Sequence, residues 1–128
     1  MRFQEGCALR TLGDGCFRCS GLEVVEVPRT VTALGKWAFK GCGALRSVSF
    51  RDGSALERIG YGCFARAGVR RVVVPSSVVS IEAYAFCMCR ALEAVEFPED
   101  SRLRSVGERC FFRCALAEVR LPRGLQSD

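Results

Sequence analysis

Short segments in which every second residue is apolar recur along the chain, and each one ends at a proline or a cluster of turn residues. Alternate side chains of a β-strand point to the same face, so this spacing predicts short strands, each with one apolar face. The apolar positions of these segments are Val25 and Val27, Val48 and Phe50, Val72 and Val74, Val95 and Phe97, and Val119 and Leu121. A strand of about five residues cannot bury its apolar face alone, so the strands are expected to stack on one another.

The segments recur in a fixed register. Phe17, Phe64 and Phe111 are 47 residues apart, and Phe39 and Phe86 divide each interval into steps of 22 and 25 residues. Repeats of this length are typical of solenoids, in which each turn contacts only its neighbours. The chain is therefore predicted to form about five rungs in alternating 22- and 25-residue units, with parallel strands stacked about 4.8 Å apart. The rungs comprise residues 9–30, 31–55, 56–77, 78–102 and 103–124.

The rungs share the skeleton LxxIGxxAFxxCxxLxxVxVPxx. This skeleton resembles the BspA-like leucine-rich repeat, also called the Treponema-type repeat, over essentially the whole chain. The departures are modest, since Ala67 stands in place of the usual Cys and Arg51 follows Phe50 where Pro is usual. We therefore expect an α/β repeat fold, a right-handed leucine-rich-repeat solenoid with short stacked parallel strands, in a single domain over residues 1–128.

The same skeleton predicts the core. Each rung also has a segment around a recurrent Leu, Ile or Val, and this segment is expected to form a second wall in which the chain runs back opposite the strands. The recurrent Phe is expected to fill the space between the two walls as one column. Its members are Phe17, Phe39, Phe64, Phe86 and Phe111.

The cysteines raise the question of a metal or redox site, because Cys16-Phe17-Arg18-Cys19 is a CxxC motif. Alignment of the rungs gives two columns, Cys16, Ala38, Cys63, Ala85, Cys110 and Cys19, Cys42, Ala67, Cys89, Cys114. A metal ligand would not alternate with a methyl group, whereas a free cysteine packs as a small buried hydrophobe. The columns therefore predict packing positions and no metal site, while Cys7 and Cys87, which lie outside the columns, are predicted to be exposed.

Disulfides between neighbouring rungs are possible by distance, for example between Cys19 and Cys42 or between Cys89 and Cys114. They are disfavoured because stacked side chains point the same way and because burial raises the thiol pKa.

Composition narrows the function classes. A chain of 128 residues with 49% hydrophobic and 26% charged residues is sufficient for one globular domain with its own core. The absence of histidine removes Ser-His-Asp and Cys-His nucleophiles, Cys2His2 zinc sites and HExxH helices. We therefore predict no enzyme activity and no cofactor. The sequence shows neither a signal peptide nor a run long enough to span a membrane, so it predicts no membrane insertion and leaves the localisation unknown.

The net charge of +5 raises the hypothesis of nucleic-acid binding. However, acidic and basic residues alternate on the predicted outer strand face, and no continuous basic stripe with aromatic residues is evident. No nucleic acid is therefore expected as a partner. The candidate protein contacts are the outward strand positions Val24, Glu26, Ser47, Ser49, Arg71, Val73, Ala94, Glu96, Glu118 and Arg120, together with Phe112.

Aromatic residues off the strand face have two interpretations. Trp37 and Tyr84 stand two residues before the core Phe, near Tyr61, and packing across rungs is favoured over binding there. Phe112 occupies a solvent-facing position and is predicted to form a small apolar patch with Cys87 and Met88.

The resemblance implies a non-enzymatic protein-binding module, of the kind that serves in surface adhesion or recognition in bacteria and protists. An intracellular structural or assembly subunit docked in a larger complex is the alternative, which the lack of a signal peptide and the unpaired cysteines favour.

By the 47-residue register, Met1 falls at the position of Val48 and Val95, so the chain opens inside a predicted strand. Solenoids normally end in polar capping segments that cover the core and the strand edges, and the predicted solenoid lacks both. We expect either that these residues are an internal piece of a longer array or that their ends pair with another chain. The isolated chain should therefore fray, self-associate or aggregate as its concentration rises, which sedimentation velocity would measure. A strictly monomeric species with fully protected amides in its first and last rungs would contradict this expectation.

Overall fold

The computed structural model describes residues 10–116, 119 and 121–122, and within them the chain forms a parallel β-solenoid of about four turns. Its strands are two to four residues long. In chain order they are β1 (Thr11–Leu12), β2 (Val24–Val27), β3 (Ala33–Leu34), β4 (Ser47–Phe50), β5 (Arg58–Ile59), β6 (Arg71–Val73), β7 (Ser80–Ile81), β8 (Ala94–Glu96) and β9 (Ser105–Val106).

One wall is a continuous five-stranded parallel sheet in the order β1-β3-β5-β7-β9. Leu12, Leu34, Ile59, Ile81 and Val106 align in this sheet, and the first four of them are buried. Its register confirms the predicted alternation, since Ala33 pairs with Thr11, 22 residues before it, and with Arg58, 25 residues after it. The sequence predicted only a return path here, because a two-residue strand leaves no period to read.

The opposite wall, which we call the strand wall, consists of two separate two-stranded parallel sheets, β2-β4 and β6-β8. The predicted continuous stack is therefore interrupted between β4 and β6. The cause lies in the connections from the core Phe, which run eight residues from Phe39 to Ser47 but seven from Phe64 to Arg71. Strands pair where a rung with the seven-residue connection is followed by a rung with the eight-residue connection, as in β2-β4 and β6-β8. Where the eight-residue connection comes first, as between β4 and β6, the ladder is broken. We call this break the seam.

The core lies between the two walls, and the predicted phenylalanine column is confirmed as its spine. Ring centroids of successive Phe side chains are 5.4, 5.2, 5.3 and 5.7 Å apart, with interplanar angles of 14° or less. Rings at this separation are in stacking contact. Phe39, Phe64 and Phe86 are fully buried, while Phe17 and Phe111, in the first and last described rungs, are partly buried.

The segments around the core Phe join the two walls and form a third surface, the turn wall, at residues 13–20, 35–44, 60–68, 82–91 and 107–115. Two positions of each turn have a left-handed backbone, two residues before and two residues after the Phe. The first column is Gly15, Trp37, Gly62, Tyr84 and Arg109, and the second is Cys19, Gly41, Arg66, Met88 and Arg113. L-residues adopt this conformation singly and not in helices, so the turn cannot continue as an α-helix.

Hydrogen bonds in the turn wall alternate between rungs. Every second backbone N–H donates to a carbonyl of the next rung. The N–H groups between them donate to carbonyls three residues earlier in their own rung. In the second rung, Trp37, Phe39 and Gly41 donate to the carbonyls of Tyr61, Cys63 and Ala65, at 2.9, 2.8 and 2.8 Å. The described residues contain no helix, so the α/β part of the predicted fold class is wrong and the fold is a β-solenoid. The right-handed coiling stays a prediction.

The described residues also contain no helix long and apolar enough to cross a membrane. The fifth predicted strand, at residues 118–121, and both predicted uncapped ends fall largely outside the described residues. Leu121 was expected to point inward and is instead 41% exposed, with no described rung following it.

The columns predict how stability responds to substitution. Phe64→Ala should lower the free energy of unfolding by about 3 to 5 kcal/mol, because it opens a cavity between two stacked rings. Cys42→Ala or Cys89→Ala should cost no more than about 1 to 2 kcal/mol, because the third rung already has Ala67 at this position. Urea denaturation would measure both, and a larger loss from the cysteine variants would overturn the column assignment.

Candidate functional site

The strand wall carries the outward residues predicted to contact a partner. The ladder register places Val24 beside Ser47 and Glu26 beside Ser49 in the first sheet. In the second sheet it places Arg71 beside Ala94 and Val73 beside Glu96. Their inward neighbours Val25, Val48, Val72 and Val95 are buried, so the predicted alternation of core and solvent positions is confirmed. Glu118 and Arg120, the remaining pair of this prediction, lie outside the described residues.

This face is mixed in character. Val73 is 51% exposed and Val24 is 39% exposed, so apolar area is available beside charged groups. The charges pair across neighbouring strands of the same sheet, with Arg51 Nη1 3.5 Å from Glu26 Oε1 and Arg71 Nη1 3.5 Å from Glu96 Oε1. Such exposed pairs contribute at most about 1 kcal/mol. They orient the side chains but are readily exchanged for a partner's charges.

A groove of about 620 Å³ opens on this wall at the seam. Its size is within the range of ligand and peptide sites. The lining includes Arg46, Ser47, Ser49, Arg70, Arg71 and Val73. Four of the predicted contact residues therefore meet at one place, which the sequence alone did not indicate.

The seam also leaves strand edges without partners. Strands β4 and β6 approach within 8 Å at Cα, yet no ladder hydrogen bond joins them among the described residues. Backbone N–H and C=O groups at the seam that are not used in a ladder are donors and acceptors for polar side chains of a partner. The groove therefore combines backbone hydrogen-bonding groups, serine hydroxyls, guanidinium groups and one exposed valine.

Phe112 lies on the turn wall and not with the other candidate contacts. It is 40% exposed, and the guanidinium carbons of Arg109 and Arg113 lie 5.4 and 5.3 Å from its ring centroid. Cys87, the expected partner in an apolar patch, is only 9% exposed. The predicted apolar patch is therefore wrong, because cations lie over the phenylalanine ring and the cysteine is covered.

The other aromatic residues of the turn wall pack across rungs, as expected. Trp37 meets Tyr61 edge to face at 6.2 Å, and Tyr61 meets Tyr84 at 5.4 Å. Gly62 makes room for this contact, since a Cβ there would lie 2.5 Å from Cδ1 of Trp37, and its φ of +59° suits glycine. Trp37 and Tyr61 nevertheless keep 37% and 40% of their surface exposed.

The cysteine columns are packing positions with one further role. The thiol of Cys42 donates to the Phe17 carbonyl at 3.0 Å, and Cys89 and Cys114 donate to Phe64 and Phe86 at 2.9 Å. Each bond joins neighbouring rungs. Among the described residues, no three His, Cys, Asp or Glu side chains are arranged to hold a metal ion, and their cysteines are free thiols.

The exposure of the thiols differs from the prediction both inside the cysteine columns and outside them. Cys16 and Cys19, which were predicted to pack in the core, are exposed. Cys87 is buried, contrary to prediction, and the long side chains of Arg66, Arg109 and Arg113 lie near it. Cys7 lies outside the described residues.

Burial sets the acidity of the core thiols. It raises the pKa of Cys110 to about 12 and places the pKa of Cys63 well above its usual value. Burial also raises the pKa of Cys87, against the opposing effect of the three nearby arginines. None of these thiols is poised as a thiolate nucleophile at neutral pH.

Comparison with known proteins gives one family and several structures. Residues 9–127 match the BspA type leucine rich repeat region in six copies. A leucine-rich repeat protein of T. pallidum superposes with a TM-score of 0.84 and 30% identity, over 96% of this chain and 57% of that one. A leucine-rich repeat protein from Bacteroides ovatus gives 0.81 and 26%, over 92% of this chain and 30% of that one. No curated protein matched the sequence.

The pneumococcal vaccine antigen PcpA shares the fold, with a TM-score of 0.63 and 20% identity over 97% of this chain and 45% of its own. The chain thus spans little more than half of the T. pallidum protein and under a third of the Bacteroides protein.

Thiol labelling checks the assignment of the cysteine columns. In the folded protein at pH 8, a maleimide should modify the exposed Cys19 fastest and Cys16 more slowly, because partial burial raises the pKa of Cys16, and it should leave Cys63 and Cys110 unmodified, because these buried thiols are shielded and stay protonated. Peptide mass spectrometry after a brief pulse locates the adducts. Unfolded protein, in which all thiols should react alike, is the control. Equal labelling of Cys63 and Cys16 in the folded state would refute the assignment.

Proposed function

Because the chain belongs to the BspA-type leucine-rich repeat family, we propose that it is a non-enzymatic protein-binding module that uses its strand wall. The binding site is centred on the groove at the seam between β4 and β6. One observation carries this proposal, namely that Ser47, Ser49, Arg71 and Val73 meet in a groove whose two strand edges lack ladder partners. The proposal applies equally to a recognition module at a cell surface and to a subunit of a larger complex, since both would use the same face.

The chemistry of the groove favours an extended acidic segment of a partner protein. Four arginines, Arg46, Arg51, Arg70 and Arg71, line the groove against one carboxylate, that of Asp52. Carboxylates of the partner can replace the exposed intramolecular pairs, because guanidinium groups bind carboxylates in a bidentate manner.

The apolar part of the groove supplies the anchor. Val73 is the most exposed of the large apolar side chains that the structure describes, and it lies beside Val74, Pro75 and Pro98. Buried apolar anchors surrounded by polar groups carry most of the energy of protein interfaces. Backbone N–H and C=O groups at the seam then hydrogen-bond polar side chains of the segment.

Site-specific crosslinking tests the location of the site. A photoreactive phenylalanine analogue at position 73 should capture a partner from the native source, and mass spectrometry would identify it. The same analogue at position 79 is the matched control, because Val79 is also exposed but lies next to β7 in the other wall. The captured protein is then purified and its affinity for the unmodified chain is measured by calorimetry.

In that binary assay, Val73→Asp should weaken binding by about 2 kcal/mol, or roughly thirtyfold in Kd, because it removes the apolar anchor and places a negative charge against the acidic segment. Val79→Asp should leave Kd unchanged. The proposal fails if both variants bind like the unmodified chain, or if the crosslink forms at position 79 and not at 73.

A further inference from the structure

The turn wall carries a cluster of cations that the strand wall does not use. Arg66 on the third rung and Arg109 and Arg113 on the fifth lie near Cys87 of the fourth, and the last two also lie over Phe112; we call these three arginines with Phe112 the arginine cluster. Backbone hydrogen bonds fix its frame, since the N–H of Arg66 donates to the Cys87 carbonyl at 2.9 Å and that of Met88 to the Phe112 carbonyl at 2.6 Å.

The backbone and the ring together orient the guanidinium groups. Arg66, Arg109 and Arg113 all have left-handed φ angles, of 61°, 52° and 58°. The ring of Phe112 then holds Arg109 and Arg113 by cation–π contacts. Because the ring supports these cations, their N–H edges remain available to solvent.

The cluster has no internal counter-charge. Among the described residues, none of its three arginines lies within 4 Å of a carboxylate, whereas Arg46, Arg51 and Arg71 on the strand wall all do. Like charges held close together repel each other, and a bound anion removes this repulsion. The arrangement is therefore suited to an oxyanion.

The same pattern extends along the turn wall. Lys40 Nζ lies 5.5 Å from the centroid of the Trp37 ring, which repeats the cation-on-aromatic contact three rungs away from Phe112. The turn wall as a whole carries seven basic residues, Arg18, Lys36, Lys40, Arg66, Arg90, Arg109 and Arg113. Its acidic residues are Asp14, Glu82 and Glu108. At about 4.8 Å per rung, Lys40 and Arg113 are separated by about 14 Å along the solenoid axis, so a linear polyanion can contact both ends.

We propose that the turn wall binds a sulfated acidic polysaccharide, with the arginine cluster as its principal sulfate site. Sulfate esters accept the fork of donors that each guanidinium presents. Binding of single-stranded nucleic acid would require free aromatic faces on which bases stack. Cations already lie over the rings of Phe112 and Trp37, which makes these two rings less available for stacking and favours a polymer recognised by its charges.

Affinity for a heparin octasaccharide, measured by calorimetry on the full chain, tests the proposal. The triple variant Arg66→Asn, Arg109→Asn, Arg113→Asn removes three charges, and asparagine tolerates the left-handed backbone at these positions. We expect it to weaken binding by about tenfold or more. The control triple variant Arg58→Gln, Arg102→Gln, Arg104→Gln removes three exposed arginines outside both proposed sites and should weaken binding by less than about threefold.

A second variant separates positioning from net charge. Phe112→Leu keeps every charge but removes the ring that holds the two guanidinium groups, and it should weaken binding by about threefold. Desulfated octasaccharide should bind at least about tenfold more weakly than the sulfated form. Circular dichroism of each variant shows that the fold is intact.

The proposal is overturned if the two triple variants lose affinity equally, if Phe112→Leu has no effect, or if a thymidine oligonucleotide of equal charge binds as tightly as heparin. Val73→Asp should not change heparin affinity, so this test is independent of the protein-binding site on the strand wall.

Discussion

The left-handed backbone at two positions of every turn is the constraint on which the rest of the structure depends. It turns alternate N–H groups toward the next rung, so that each turn hydrogen-bonds to its neighbour without being a strand. Outside glycine this conformation costs about 1 kcal/mol or more per residue, and hydrogen bonds between rungs offset the cost. The same geometry points the central Phe inward at every step, and the stacked ring column follows from it.

The sequence was sufficient for the parts of the fold that depend on period and residue type. The Phe column, the inward valines of the strand wall and the alternating rung lengths all follow from repeated spacing. The five-stranded sheet was missed because two residues such as Arg58–Ile59 contain no period. The left-handed turns were missed because Trp37, Arg66 and Tyr84 are not glycines and give no signal of a positive φ.

The candidate sites show a similar division. Alternation along each strand identified Ser49 and Val73 as outward residues, but not that a groove gathers them. The groove exists because the connection from Phe39 to Ser47 is one residue longer than the connection from Phe64 to Arg71. How this difference changes strand pairing depends on the register of the strands in three dimensions. Likewise, Cys87 was predicted to be exposed because it lies outside the two cysteine columns. It is instead buried, with arginine side chains of the neighbouring rungs near it. Long side chains of one column can contact residues of another column. An alignment of the rungs does not show such contacts.

The seam also has a mechanical meaning. One wall of the solenoid is a single sheet, while the opposite wall is divided into blocks of two strands. Bending that opens the divided wall breaks no ladder hydrogen bond at the seam, whereas bending that opens the continuous wall must break them. The rod is therefore stiffer in one direction than in the other, and its described residues contain one compliant joint, between β4 and β6. Tension or curvature imposed along such a rod would be concentrated at that joint, and the width of the groove would respond to the load.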